Sequence, residues 1–296
     1  YSPVEQIQHL LYQEMQVEVF VKRDDLIHPF ISGNKWRKLK YLLRKASLEQ
    51  KQHLVTFGGA YSNHLLATAC AAVKFGFKST GIVRGEEVQN DLLMFCALFG
   101  MELIFVKRDR YRDKWGLFQH YFGSNAHAFF IDEGGASMEA VTGCAELMDE
   151  LDRSYDHIFC ACGTGTTIAG IIKGVEKYAL RCNIHALPVF KDGRFMRDEI
   201  LKYFDHVPSF EMHTDYHFGG YAKTKPELID FIQSFTAETG ILIDPVYTGK
   251  LFYAIHDLIQ QGYFPAKSSI LAIHTGGLFG LLGMSDQFTI KENVLV

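Results

Sequence analysis

The sequence predicts an α/β protein built from two open, twisted, mostly parallel sheets, on three observations. Short apolar, β-branched runs alternate along the chain with segments of helical period, the pattern of parallel sheets covered by helices on both faces. The spacing of these units is irregular and their number exceeds eight, which disfavours one closed barrel. The 296 residues suffice for one large domain or two of ordinary size.

Taken in order, the strand candidates are 17–21, 53–57, 79–83, 103–106, 128–131, 157–162, 183–189, 210–214 and 269–274. Each is a bounded run of residues that favour a pleated, buried surface. Helical periodicity marks 35–46, 63–74, 90–99, 138–152, 167–178, 226–238 and 250–261. No internal repeat or low-complexity tract interrupts them. Gly134-Gly135 is a candidate hinge.

Composition removes several classes. Hydrophobic residues at 48% and charged residues at 22% are ordinary globular values, which excludes disorder and fibrous repeats. A formal charge of −4, with no Lys/Arg tract beyond the short segment 35–40, argues against nucleic acid as a partner. No apolar run approaches the ~18 residues of a membrane span. The six cysteines (70, 96, 144, 160, 162 and 182) are too sparse for a disulfide scaffold. Cys160-Ala161-Cys162 lacks a second pair or a nearby His to complete a zinc set, so no metal is expected. Buried, reduced thiols and a cytoplasmic protein are the expectation. The chain opens at Tyr1 rather than Met, so the lack of a leader carries little weight.

Familiar catalytic motifs fail. Gly163-Thr164-Gly165-Thr166-Thr167 follows a strand and opens a helix, but Ile168 breaks the dinucleotide pattern. No phosphate-loop lysine motif, G-x-S-x-G or H-E-x-x-H occurs. Ser32 to Lys35 fits S-x-x-K without its companion motifs. What survives is physical. Two glycines, three Thr hydroxyls and a helix N-terminus make the 163–167 segment a candidate phosphate cup. The same segment also reads as a tight βα turn with Thr caps.

Lys35 follows Gly33-Asn34 at a loop-to-helix junction, where an amine can serve as a Schiff-base nucleophile if burial or the neighbouring Arg37 and Lys38 lower its pKa. A solvated lysine on a helix face is the plainer reading. Gly58-Gly59-Ala60-Tyr61-Ser62-Asn63-His64 ends a strand and begins a helix, presenting a turn able to hold a carboxylate; ordinary capping accounts for Ser62 or Asn63 equally well. The loops 244–250 (DPVYTGK) and 274–277 (HTGG) add Tyr247, Thr248 and Thr275. Loops at the carboxyl ends of parallel strands line the ligand crevice, so these residues are expected to converge with Lys35.

These segments, with Phe20-Val21-Lys22-Arg23-Asp24-Asp25 and Gly33-Asn34-Lys35-x-Arg37-Lys38-Leu39, resemble in order the pyridoxal-phosphate enzymes of the 1-aminocyclopropane-1-carboxylate (ACC) deaminase and D-cysteine desulfhydrase family. The resemblance covers nearly the whole chain. It implies the tryptophan-synthase-β-like fold (fold type II), with a large domain from 1–46 plus 135–296 and a small inserted domain at 47–134. It implies pyridoxal 5′-phosphate held as a Schiff base on Lys35, with Asn34 adjacent, Asn63 on the ring 3′-oxygen and Gly163 to Thr167 on the phosphate. Ser62 would meet the substrate carboxylate or move a proton. Tyr221 and Tyr247 match two active-site tyrosines, and His64 lies in the substrate-binding turn. A homodimer acting on a small amino acid follows from the resemblance alone.

Two departures point to one branch. ACC deaminases carry Glu where this chain has Thr248, and Leu where it has Thr275. A carboxylate at the ring nitrogen keeps it protonated and strongly electron-withdrawing, whereas a neutral hydroxyl does not. Opening a cyclopropane needs the stronger sink; expelling thiolate needs less. D-Cysteine β-elimination to pyruvate, hydrogen sulfide and ammonia is therefore expected, with ACC deamination or elimination from another D-amino acid such as D-serine as alternatives. Leu65-Leu66-Ala67 also replaces a Thr-Arg-Gln-like run found in many relatives.

Overall fold

Residues 1–288 are described in the computed structural model. Its strands are β1 (Val4–Ile7), β2 (Glu18–Lys22), β3 (His53–Gly59), β4 (Lys78–Arg84), β5 (Glu102–Val106), β6 (Ala128–Ile131), β7 (His157–Cys162), β8 (Asn183–Pro188), β9 (Glu211–Met212) and β10 (Ser269–Ile273). The α-helices are α1 (Leu10–Glu14), α2 (Asn34–Leu48), α3 (Asn63–Lys74), α4 (Asp91–Leu98), α5 (Lys114–Phe122), α6 (Met138–Ala145), α7 (Thr166–Lys177), α8 (Phe195–Leu201), α9 (Pro226–Thr239) and α10 (Thr248–Gln260).

The strands form two sheets, ordered β1-β2-β10-β7-β8-β9 and β5-β4-β3-β6. All pairings are parallel except that of β1 with β2. The α/β architecture with two mostly parallel sheets is thus present. In β7, Phe159 and Ala161 pack with α9 and α10, while Ile158, Cys160 and Cys162 pack with α7. Both faces of this central strand are covered, which is why its sequence is apolar without alternation. All six cysteines are free, and burial pushes the Cys162 thiol up to about 12.

Two differences from the sequence expectation have physical causes. The expected helix 138–152 stops at Ala145, and a 3₁₀ turn, Met148–Glu150, follows. That turn delivers the Glu150 carboxylate to Lys22 at 2.7 Å and Arg37 at 2.8 Å, a distant charge contact that periodicity does not register. The unanticipated β1 is a four-residue edge strand with two polar residues, specified by its pairing with β2.

Close helix packing fixes the site. A Cβ on Gly143 of α6 would fall 2.0 Å from the Arg37 carbonyl oxygen of α2, and one on Gly170 of α7 would fall 2.4 Å from Cys144 Cβ of α6. Glycine at these positions lets α2, α6 and α7 approach backbone to backbone. Arg37 then locks α2 through a bidentate pair with Asp24, at 2.6 and 2.7 Å, deep in the protein.

Candidate active site

Lys35 is the second residue of α2. The helix begins at Gly33, whose φ of +63° and near-contact with Thr275 exclude a side chain: a Cβ would fall 1.8 Å from the Thr275 carbonyl oxygen. That carbonyl accepts from Asn34 N–H at 3.2 Å, stitching the start of α2 to the loop after β10. Lys35 Nζ donates to Asn34 Oδ1 at 2.7 Å, and Asn34 Nδ2 donates to Thr167 Oγ1 at 2.9 Å. The amine and the 163–167 segment are therefore one hydrogen-bonded unit.

Desolvation first, and the nearby Lys38 ammonium second, lower the Lys35 amine to about 7. Arg37, two residues on, is paired with Asp24 and Glu150. A substantial share of Lys35 is thus neutral and nucleophilic at physiological pH.

The 163–167 segment is more than a capped turn. Gly165 adopts φ +71° and leads into α7, whose first N–H groups have no backbone acceptor among the described residues. Thr164 and Thr166 hydroxyls lie 3.1 Å apart, and Tyr203 OH lies 3.2 Å from Thr166 Oγ1. Lys38 Nζ donates to Thr164 Oγ1 at 3.2 Å and to the Gly134 carbonyl at 3.1 Å. Free amides, hydroxyls, a helix N-terminus and a buried ammonium suit a phosphate group. Sequence reasoning missed Lys38 in this role; its i, i+3 relation to Lys35, on the same helix face, was the available signal.

Ser62 and Asn63 start α3 where β3 ends. Ser62 occupies the N-cap but its hydroxyl makes no capping bond, leaving it free for a ligand. Asn63 Nδ2 donates to the Gly277 carbonyl at 3.1 Å, joining the smaller sheet's loop to the loop after β10. His64 is buried. It is 2% exposed, and its Nε2 meets Thr56 Oγ1 at 2.8 Å; that hydroxyl already donates to the Ile131 carbonyl, so the ring donates to it. His64 is thus a buried ring beside Lys35 and Lys38, whose charges add to burial in holding its pKa well below the usual value, rather than an exposed group of the substrate turn.

The 244–250 turn is organised by Asp244. Its carboxylate accepts from Val246, Tyr247 and Thr248 N–H groups and from Thr248 Oγ1, at 2.7–3.0 Å. Thr248 is fully buried with its hydroxyl spent on this bond, whereas the Thr275 hydroxyl has no protein partner among the described residues. Tyr247 lies against Gly163, where a Cβ would come within 3.0 Å of its ring, and its OH donates to Tyr221 OH at 3.5 Å. Burial raises both phenols, keeping them protonated as donors. Tyr221 is held in turn by the fully buried Lys250, whose ammonium donates to the His217 and Gly220 carbonyls at 2.8 Å. Sequence reasoning quoted Lys250 without assigning it a role.

A two-sheet α/β protein with a depressed lysine beside an anion cup, at the carboxyl ends of β3, β7 and β10, has the makings of an enzyme that carries a phosphorylated aldehyde cofactor. The family model described as pyridoxal-phosphate dependent enzyme matches residues 2–276, and the chain belongs to that family. A Pyrococcus abyssi protein, named provisionally as a 1-aminocyclopropane-1-carboxylate deaminase, is 31% identical, covering 95% of this chain and 91% of its own. The mitochondrial bifunctional D-cysteine desulfhydrase/1-aminocyclopropane-1-carboxylate deaminase of Arabidopsis thaliana is 30% identical over 91% of this chain and 75% of its own. A crystal structure of an ACC deaminase homologue superposes with a TM-score of 0.84 at 27% identity, covering 97% of this chain and 92% of that one. The fold is that of the fold-type II pyridoxal-phosphate enzymes, the cofactor is pyridoxal 5′-phosphate, and the chain groups with the ACC deaminases and D-cysteine desulfhydrases. No described helix is long and apolar enough to cross a membrane.

Proposed function

We propose that this chain is a carbon–sulfur lyase converting D-cysteine and water to pyruvate, hydrogen sulfide and ammonia. One observation carries the choice of substrate. The carboxylate of this turn, Asp244, is consumed by three backbone N–H groups and the Thr248 hydroxyl, which leaves the neutral Thr275 hydroxyl as the free group of the two threonines. Our reading assigns Thr275 to the ring nitrogen, with Thr248 acting through Asp244 to set the position of Tyr247.

Pyridoxal phosphate, when bound, withdraws the electrons left at Cα. The remaining work falls to side chains. Lys38, Thr164, Thr166 and Thr167, with the free N–H groups from Gly165 onward, would hold the phosphate. Lys35 would attach the cofactor and, once displaced by the substrate amine, take the Cα proton; an amine with a pKa of about 7 exchanges protons readily at neutral pH. Ser62 would hold the substrate carboxylate, and Asn63 the ring 3′-oxygen of the cofactor. Tyr247, backed by Tyr221, would protonate the departing thiolate, since both phenols keep their protons. The released enamine then hydrolyses in water.

On this reading 47–134 is a small inserted domain that carries Ser62 and Asn63 to the lysine of the large domain, 1–46 plus 135–296. A homodimer and a cytoplasmic setting rest on the family likeness and the reduced cysteines, and light scattering on the purified holoenzyme tests the first. Sulfide and pyruvate released in equal amounts from D-cysteine but not L-cysteine would support the activity. Absence of both products with a cofactor-loaded enzyme would sink it. Deamination of ACC is the second reading, supported by the names of the relatives above.

A further inference from the structure

At the outer edge of the larger sheet, three imidazoles line up across adjacent strands. His157 opens β7, His185 lies in β8, and His213 directly follows β9. Parallel register sets Phe159 beside His185 and His185 beside Glu211, so their side chains share one face of the sheet. His213 N–H donates to the Ala186 carbonyl at 3.0 Å, extending the short β9 pairing by one step.

The atoms converge on a point. His185 Nδ1 and His213 Nε2 stand 3.0 Å apart. Glu211 presents both carboxylate oxygens to the pair, Oε2 at 3.7 Å from His185 Nδ1 and Oε1 at 3.7 Å from His213 Nε2. Ligands sharing one tetrahedral zinc at ~2.0–2.2 Å are necessarily about 3.3 Å apart, so these spacings need little adjustment.

Each arm also has a supporting contact. His185 Nε2 lies 2.9 Å from His157 Nδ1, and Tyr263 OH donates to Glu211 Oε2 at 2.6 Å. Phe159 stacks on the His185 ring with centroids 4.1 Å apart, fixing its plane. Such outer contacts orient metal-bound imidazoles and carboxylates.

We propose that His185 Nδ1, His213 Nε2 and Glu211 form a binding site for a divalent transition metal of the zinc class. The Glu211 side chain is 49% exposed, so water reaches the fourth position from the surface. Metal binding needs His185 Nδ1 and His213 Nε2 unprotonated, so the proton between them is exchanged through solvent for one on the far ring nitrogen, with no net release, and His185 Nε2–H then donates to His157 Nδ1. His157 and His185 lie toward the amino ends of β7 and β8, whereas the lysine cleft lies at the carboxyl ends. The metal therefore pins the two-residue edge strand β9 to β8 and takes no part in the elimination.

The test is equilibrium dialysis of untagged holoenzyme against zinc, with thermal melting followed in parallel. One zinc per chain is expected, together with a higher melting temperature. Glu211→Gln and His213→Gln should each weaken binding by more than tenfold, and Tyr263→Phe by about 10–100-fold, with the cofactor absorbance unchanged. If His213→Gln does not fold, the half-exposed Glu211→Gln decides alone. No zinc on the wild-type chain, or equal affinity in Glu211→Gln, overturns the proposal.

Discussion

Lys38 Nζ stands 3.2 Å from Thr164 Oγ1, so a cation from the lysine helix reaches into the turn that opens α7. A buried ammonium in that position has one obvious use, the charge of a phosphate. Lys38→Met should weaken pyridoxal-phosphate binding by about 10–100-fold, the worth of one charge-assisted hydrogen bond of ~1.5–3 kcal/mol. Cofactor titration of the apoprotein, followed by absorbance, measures it. An unchanged dissociation constant would remove Lys38 from the cup.

Lys35 gives a pH signature in the apoprotein. Its folded pKa of about 7 lies below the ordinary 10.5, so between those values the unfolded chain binds the extra proton. Stability contributed by discharging this amine is therefore absent below pH 7 and gained as pH rises to 10.5. Labelling of Lys35 by an amine-reactive reagent, read by mass spectrometry, should rise with a midpoint near pH 7. A midpoint near that of surface lysines would refute the depressed amine.

Lys250 predicts an effect at a distance. Its ammonium satisfies the carbonyls that hold the Tyr221 loop, and burial lowers its pKa to about 8. Lys250→Met leaves those carbonyls without a donor, at a cost of about 1–3 kcal/mol each if they stay buried. The variant should melt lower and raise KM, with the cofactor still bound. A wild-type KM would show that Tyr221 does not depend on this anchor.

Glu150 governs acid stability. Burial opposes its charge, but hydrogen bonds from Arg37 and Lys22 outweigh burial and hold the carboxyl down at about 2. Because that pKa is depressed below the ordinary 4.5, the stabilisation is complete above pH 4.5 and is lost as pH falls toward 2. Urea midpoints measured across this window should fall more steeply for wild type than for Glu150→Gln. Parallel slopes would assign the acid transition to other groups.

The parts legible in the sequence were those set locally. Helix α3 falls at 63–74 as periodicity and the Ser-Asn start indicate, and β7 at 157–162 as its unbroken apolar run indicates. Gly-Thr and Gly-Gly turns marked the cleft loops because few other residues suit such backbone. The remainder depends on distant partners. Lys38 looks like any helix-face lysine until Gly134 and Thr164, 96 and 126 residues away, are folded against it. His157, His185 and His213 meet only because strands 28 residues apart pair in register. The buried side of His64 and the Asp244–Thr248 bond are likewise products of packing, which a resemblance between motifs does not display.

On our reading a neutral hydroxyl, that of Thr275, rather than a carboxylate sets the reaction. Mass-spectrometric identification of the keto acid formed from D-cysteine and, separately, from ACC tests it most directly. Pyruvate from D-cysteine with no 2-oxobutyrate from ACC is the predicted result. 2-Oxobutyrate formed from ACC at a comparable rate would contradict it.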